Sequence, residues 1–186
     1  MGSPLRNKKA LSQPVTTMIL LVIPVMLTGG VVMYAYQIIG NQVELELLTI
    51  SNQHIWVYEN GTSFAAIQID NIGGKDALID KLQVRGVDVP WSTVYYYKTT
   101  LIVTDVLNCP NASGNDWSRF EYTSGNTTTF TQATNGLSLP SGHTLVIYIK
   151  QPDNIRLEDI GSSISISVIT TNARYDILCP VQTVSS

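Results

Sequence analysis

Charge is what this sequence has least of. Asp, Glu, Lys and Arg make up 13% of its 186 residues, against about 25% in an average soluble protein. The shortage is complete from Ala10 to Val43, where no charged residue occurs. Basic residues number 11 against 14 acidic ones, a formal net charge of −3. That balance leaves no basic footprint for nucleic acid. Histidine occurs only at 54 and 143, and cysteine only at 109 and 179. None of these falls into a Cys-x-x-Cys or His-x-x-x-His spacing, which argues against a zinc-type site. The sequence also lacks a Gly-x-Ser-x-Gly nucleophile elbow and a phosphate-cradling glycine loop. Neither an enzyme nor a cofactor is expected.

What the chain does have is a long apolar run. Val15 to Ile39 is mostly aliphatic. As a helix those residues span roughly 37 Å at about 1.5 Å per residue. The hydrocarbon core of a bilayer is ~30 Å thick, so the segment crosses a membrane with tilt. A helix apolar on all sides must be buried on all sides. Pro14 falls where a first-turn proline is tolerated. Pro24 is interior and removes one backbone hydrogen bond, so a kink is expected near Leu20. Gly29, Gly30 and Ala35 form a small-residue patch suited to close helix approach. Tyr34 and Tyr36 lie at the outer end of the run, where aromatic rings favour the membrane interface.

The order of parts at the N-terminus is informative. A secretory signal has a short apolar region followed by a small-residue cleavage site. Here the small residue, Ala10, precedes the run and follows Lys8-Lys9 directly. This Lys-Lys-Ala-Leu-Ser arrangement resembles the type IV prepilin signal, in the archaeal form shared by pilins and archaellins. The resemblance covers about residues 6 to 48. It implies cleavage between Ala10 and Leu11 by a prepilin peptidase, with Lys8 and Lys9 as part of the recognised leader. The apolar helix is then the new N-terminus. Losing Arg6, Lys8 and Lys9 leaves 8 basic residues against 14 acidic ones, so the mature chain is −6. Bacterial type IV pilins usually carry a Glu near the start of the mature helix; Val15 stands at that place, which favours the archaeal branch. The resemblance divides the chain into a leader (1–10), a hydrophobic helix (11–47) and an extracellular head (48–186). Basic residues before the helix retain the leader in the cytoplasm and send the C-terminal bulk outward.

Val43, Leu45 and Leu47 alternate with Glu44 and Glu46, which fits either a helical stalk or a first strand. From Leu48 the period is two. Ala65, Ile67 and Ile69 alternate with Gln68 and Asp70, and Ile164, Ile166 and Val168 alternate with serines. These are half-buried strand signatures. Leu145–Ile149 fits another strand, as do His54–Tyr58, Leu78–Val84, Val94–Val106, Phe120–Tyr122, Thr127–Thr131 and Tyr175–Cys179. Turns such as Asn60-Gly61, Arg85-Gly86, Ser124-Gly125 and Asn135-Gly136 separate them. About eight short strands with no second helix argue for an antiparallel β-sandwich. The expected fold class is α+β: a long N-terminal helix carrying an Ig-like sandwich head, as the resemblance also implies.

Within the head, Asn60-Gly-Thr, Asn111-Ala-Ser and Asn126-Thr-Thr are candidate N-glycosylation sequons in turn-rich stretches. Outside the cell Cys109 and Cys179 are more often bridged than free, and in the chain-entropy model such a bridge stabilises by about 4 kcal/mol. Two buried free thiols remain the alternative. His54 reads as structural, His143 as a solvated turn residue, and Glu158-Asp159 as a solvated polar turn. In Tyr95-Tyr96-Tyr97 the outer two share one strand face, as core, as a subunit contact or as a sugar platform.

The sequence therefore points to a structural subunit of an archaeal type IV pilus-like filament, on the cell surface and adhesive, whose partners are copies of itself and the assembly machinery. The membrane holds it before assembly. The alternatives are an anchored extracellular binding protein or minor pilin that does not polymerise and, within the first class, an archaellin.

Overall fold

The computed structural model describes residues 12–43, 45–152 and 155–184. It contains two compact units, Met1–Val43 and Glu44–Ser186. The first holds one α-helix, α1 (Ser12–Val43). The apolar run specifies it: residues 14–40 contain no charged side chain and are long enough to span a bilayer. The helix is continuous through Pro24, and Thr28 Oγ1 donates to the Pro24 carbonyl at 2.7 Å. A helix expected to reach residue 47 ends at Val43. The next residues belong to the head instead, because Ile72 N and Gly73 N both donate to Leu47 O, at 3.0 and 3.1 Å. Glu46 is held there by Asn172 Nδ2 at 2.7 Å.

The second unit is a mostly antiparallel, curled β-sheet. Its strands are β1 (Leu48–Tyr58), β2 (Ser63–Asn71), β3 (Ala77–Val84), β4 (Val87–Asp88), β5 (Val94–Thr99) and β6 (Phe120–Thr123). They continue with β7 (Asn126–Thr128), β8 (Thr131–Gln132), β9 (Leu137–Leu139), β10 (Thr144–Lys150), β11 (Ser163–Thr170) and β12 (Arg174–Val184). Ten of them form one sheet in the order β4-β3-β11-β12-β1-β2-β10-β5-β8, with β9 on β3, and β6–β7 is a separate hairpin. Two separate sheets were expected. Hydrogen bonding instead runs on through a parallel seam, Ile55–Tyr58 of β1 against Val181–Val184 of β12. A β-bulge at Ser51–His54 bends β1, with Asn52 at φ 49°.

Curling brings the two halves of the sheet face to face. Ile55, Ile67, Ile69, Leu145 and Ile147 from one half pack with Ile79, Leu82, Ile166 and Val168 from the other, all essentially inaccessible. This is the main core, and it uses the alternate residues that the period-two pattern marked. The opposite face of β1, β2, β5 and β10 is covered as well. Trp56, Phe64, Ala66, Tyr95, Tyr97, Val146 and Tyr148 pack there under Val103, Leu107, Trp117, Phe120, Tyr122 and Phe130. Thus β2 and β10 are buried on both faces rather than half-buried. The strand expected over Val94–Val106 stops at Thr99; the chain then leaves the sheet to form this covering layer.

Candidate functional site

Helix α1 is the first candidate. None of its membrane-length window is buried against the rest of the described chain. Met18, Leu20, Leu21, Met26, Leu27 and Met33 each expose more than 60% of their surface. An apolar surface of that size needs a bilayer or other protein to cover it. The processing residues Lys8, Lys9, Ala10 and Leu11 lie outside the described residues.

The sequons all sit on exposed chain. Asn60 occupies the β1–β2 turn, where its Oδ1 accepts from Thr62 N at 2.9 Å. Asn111 Oδ1 accepts from Ser113 N and Ser113 Oγ, at 3.2 and 3.0 Å. Asn126 starts β7, and its Nδ2 donates to Thr123 Oγ1 at 2.9 Å. The turn that holds Asn60 approaches the segment that holds Asn111: Tyr58 OH, two residues before Asn60, donates to Pro110 O, the residue before Asn111, at 2.7 Å.

The expected Cys109–Cys179 bridge is not formed; both thiols are free. The sheet separates them. Cys179 on β12 faces the main core, whereas Cys109 packs under the covering layer, 3.4 Å from Tyr58 OH. Burial raises both thiol pKa values, that of Cys179 to about 12. Among the described residues no three His, Cys, Asp or Glu side chains gather as a metal site.

His54 stacks on Trp56, with ring centroids 5.0 Å apart and planes within 8°. Partial burial lowers its pKa, against a smaller opposing effect of a hydrogen bond to Gln182. His143 Nδ1 lies 3.1 Å from Ser141 O in an exposed turn. Asp159 is more engaged than a plain solvated residue: Arg85 Nη2 and Arg156 N both donate to it, and these bonds, Arg85 first, hold its carboxyl below the usual range. Tyr95 and Tyr97 do share a face, and it is covered. Tyr95 stacks on Trp117 at 4.3 Å, and Tyr97 meets Tyr122 and Phe130. Tyr96 points the other way and lines a polar cleft of ≈ 400 Å³ with Lys98, Thr131, Thr134 and Asn135.

One polar cluster was missed. Gln68 and Asp70 read as the solvent side of an alternating strand, yet Gln68 is 3% exposed. Its Nε2 donates to Asp70 Oδ1 and Oδ2, at 3.2 and 3.1 Å, and to Val103 O at 3.1 Å. Its Oε1 accepts from Asn52 Nδ2 at 2.7 Å. Thr144 Oγ1 donates to Asp70 Oδ1 at 2.6 Å. Asp70 and Thr144 also line a cleft of ≈ 370 Å³ with Thr49, Ile72, Ile102 and His143. Nothing in the local pattern marks these residues, since their grouping depends on which segment covers the face.

No protein-family model matches this chain, and no curated protein matches it.

Proposed function

We propose that this protein is a structural subunit of an archaeal type IV pilus-like surface filament, held in the membrane before assembly and polymerised through its N-terminal helix. The observation that carries the reading is α1 itself. It is a 27-residue membrane-length apolar window none of which is buried in its own chain, shortly after Lys8-Lys9-Ala10. On this reading, cleavage after Ala10 removes the charges that pin the helix end to the cytoplasm. The freed helices then pack against one another and exclude water. Head-to-tail contacts that do not close propagate as a filament. The head, which we read as a variant of the Ig-like sandwich with its two halves fused along the β1–β12 seam, faces outward for adhesion. Sugars at Asn60, Asn111 and Asn126 shield it.

The test is N-terminal sequencing and mass analysis of material sheared from cells. The reading expects an abundant chain beginning at Leu11. A chain beginning at Met1 and found only in membranes refutes it. That outcome favours the second reading, an anchored surface protein that never polymerises, which the same exposed helix also supports.

A further inference from the structure

We propose that the head carries a built-in covalent staple: an ester formed between Thr144 Oγ1 and the side-chain carbonyl carbon of Gln68, with Asp70 as the base. This inference concerns the head alone and holds whether or not the chain polymerises.

The parts are assembled in one place. Strands β2 and β10 are hydrogen-bonded neighbours, with Thr144 opposite Asp70 and Val146 opposite Gln68. Side chains two residues apart on a strand share a face, so Thr144, Asp70 and Gln68 project together. Asp70 Oδ1 is in hydrogen-bond contact with both reacting groups, the Thr144 hydroxyl at 2.6 Å and the Gln68 amide nitrogen at 3.2 Å. A hydroxyl that donates to a carboxylate is the arrangement of an activated nucleophile. Asn52 Nδ2, 2.7 Å from Gln68 Oε1, stands where negative charge develops when that carbonyl is attacked. Thr144 and Gln68 are 7% and 3% exposed, so water approaches the pair chiefly through the cleft that Asp70 and Thr144 line. The alternative role, a plain polar network that secures the β1 bulge, makes the same contacts and forms no bond.

The chemistry balances without an oxidant or a second substrate. Asp70 removes the proton from Thr144 Oγ1 as that oxygen bonds to Gln68 Cδ, a step that requires the carboxamide to tilt toward Thr144 while its Asn52 and Asp70 contacts persist. The tetrahedral centre carries its negative charge on Oε1, facing Asn52. The C–N bond then breaks, and the proton on Asp70 passes to the departing nitrogen. The Gln68 nitrogen already touches both Asp70 oxygens, so this return path is in place. The products are the ester, one ammonia and a regenerated Asp70. Ammonia leaves through the cleft that Asp70 and Thr144 line, and its dilution into solvent draws the reaction forward.

The experiment is peptide mapping of the full-length chain after denaturation. The expected result is one species that joins the Gln68 and Thr144 peptides, lighter than their sum by one ammonia, and separated by hydroxylamine. Thr144→Ser keeps the link. Thr144→Val and Asp70→Asn lose it, and their melting curves show that the head still folds. Separate, unmodified Gln68 and Thr144 peptides from wild-type protein overturn the proposal, as does a link that survives in Thr144→Val.

Discussion

Replacing Trp117 by Ala tests whether the head is built in layers. Trp117 lies within the covering segment, before the chain rejoins the sheet at β8. It stacks on Tyr95 at 4.3 Å and contacts Phe120, Tyr148 and Phe130 at 5.0, 5.8 and 6.0 Å. Large-to-small changes at aromatic positions cost about 3–5 kcal/mol when the site cannot collapse. Trp117 is only half-buried, so the low end applies, about 3 kcal/mol with its ring-pair contributions included. For a domain of this size that is about 10 °C in Tm. The loss should also be local. Amides in 100–130 should exchange much faster with solvent, while those of Ile67 and Ile147, in the main core on the far side of the sheet, stay protected. Urea unfolding with hydrogen-exchange mass spectrometry reads both effects. A loss below about 1 kcal/mol, or uniform deprotection of both layers, would refute the layered account.

Gly73→Ala should destabilise by about 2 kcal/mol or more, because an added Cβ would lie 2.4 Å from Leu45 O and 2.5 Å from Leu47 N, both backbone atoms; thermal melting checks it, and an unchanged Tm contradicts the tight docking of 45–47. His54 has a lowered pKa in the fold, so the unfolded chain binds its proton first as pH falls. Its contribution should be intact above 6.5, the ordinary value of a histidine, and decline from there down to the lower folded value. His54→Gln should flatten urea midpoints across that window, and leave untouched the further loss at lower pH, where the depressed Asp116, Asp159 and Asp176 protonate. Both thiols should resist alkylation at neutral pH in the native head and take up one label each after denaturation without reductant; denatured chain that takes no label would restore the disulfide. Leu27→Lys places a charge mid-helix, at a cost of about 3 kcal/mol on membrane insertion, and should lower the membrane-extracted yield without changing the melting of the head.

Local pattern was enough for much of the architecture. The uncharged run from Ala10 to Val43 specifies α1, because only a helix satisfies its own backbone within an apolar segment. Alternation specifies that Ala65, Ile67 and Ile69 share one face, because the strand period is two whatever lies above it. It does not say what lies above the other face. That Gln68 is buried and that β2 and β10 are covered twice follow from where residues 100–130 come to rest, and that Asp70 meets Thr144 follows from the register of β2 on β10. The chain there has no period and leaves the sheet at Thr99, where a longer strand was expected. The cysteines show the same limit: each is visibly a core-sized apolar residue, but only the fold decides that a sheet lies between them. The parallel seam pairs Ile55 with Val181. Residues so far apart in sequence have no shared local signal; their register is selected by closure of the main core, which is a property of the whole domain and of no single stretch in it.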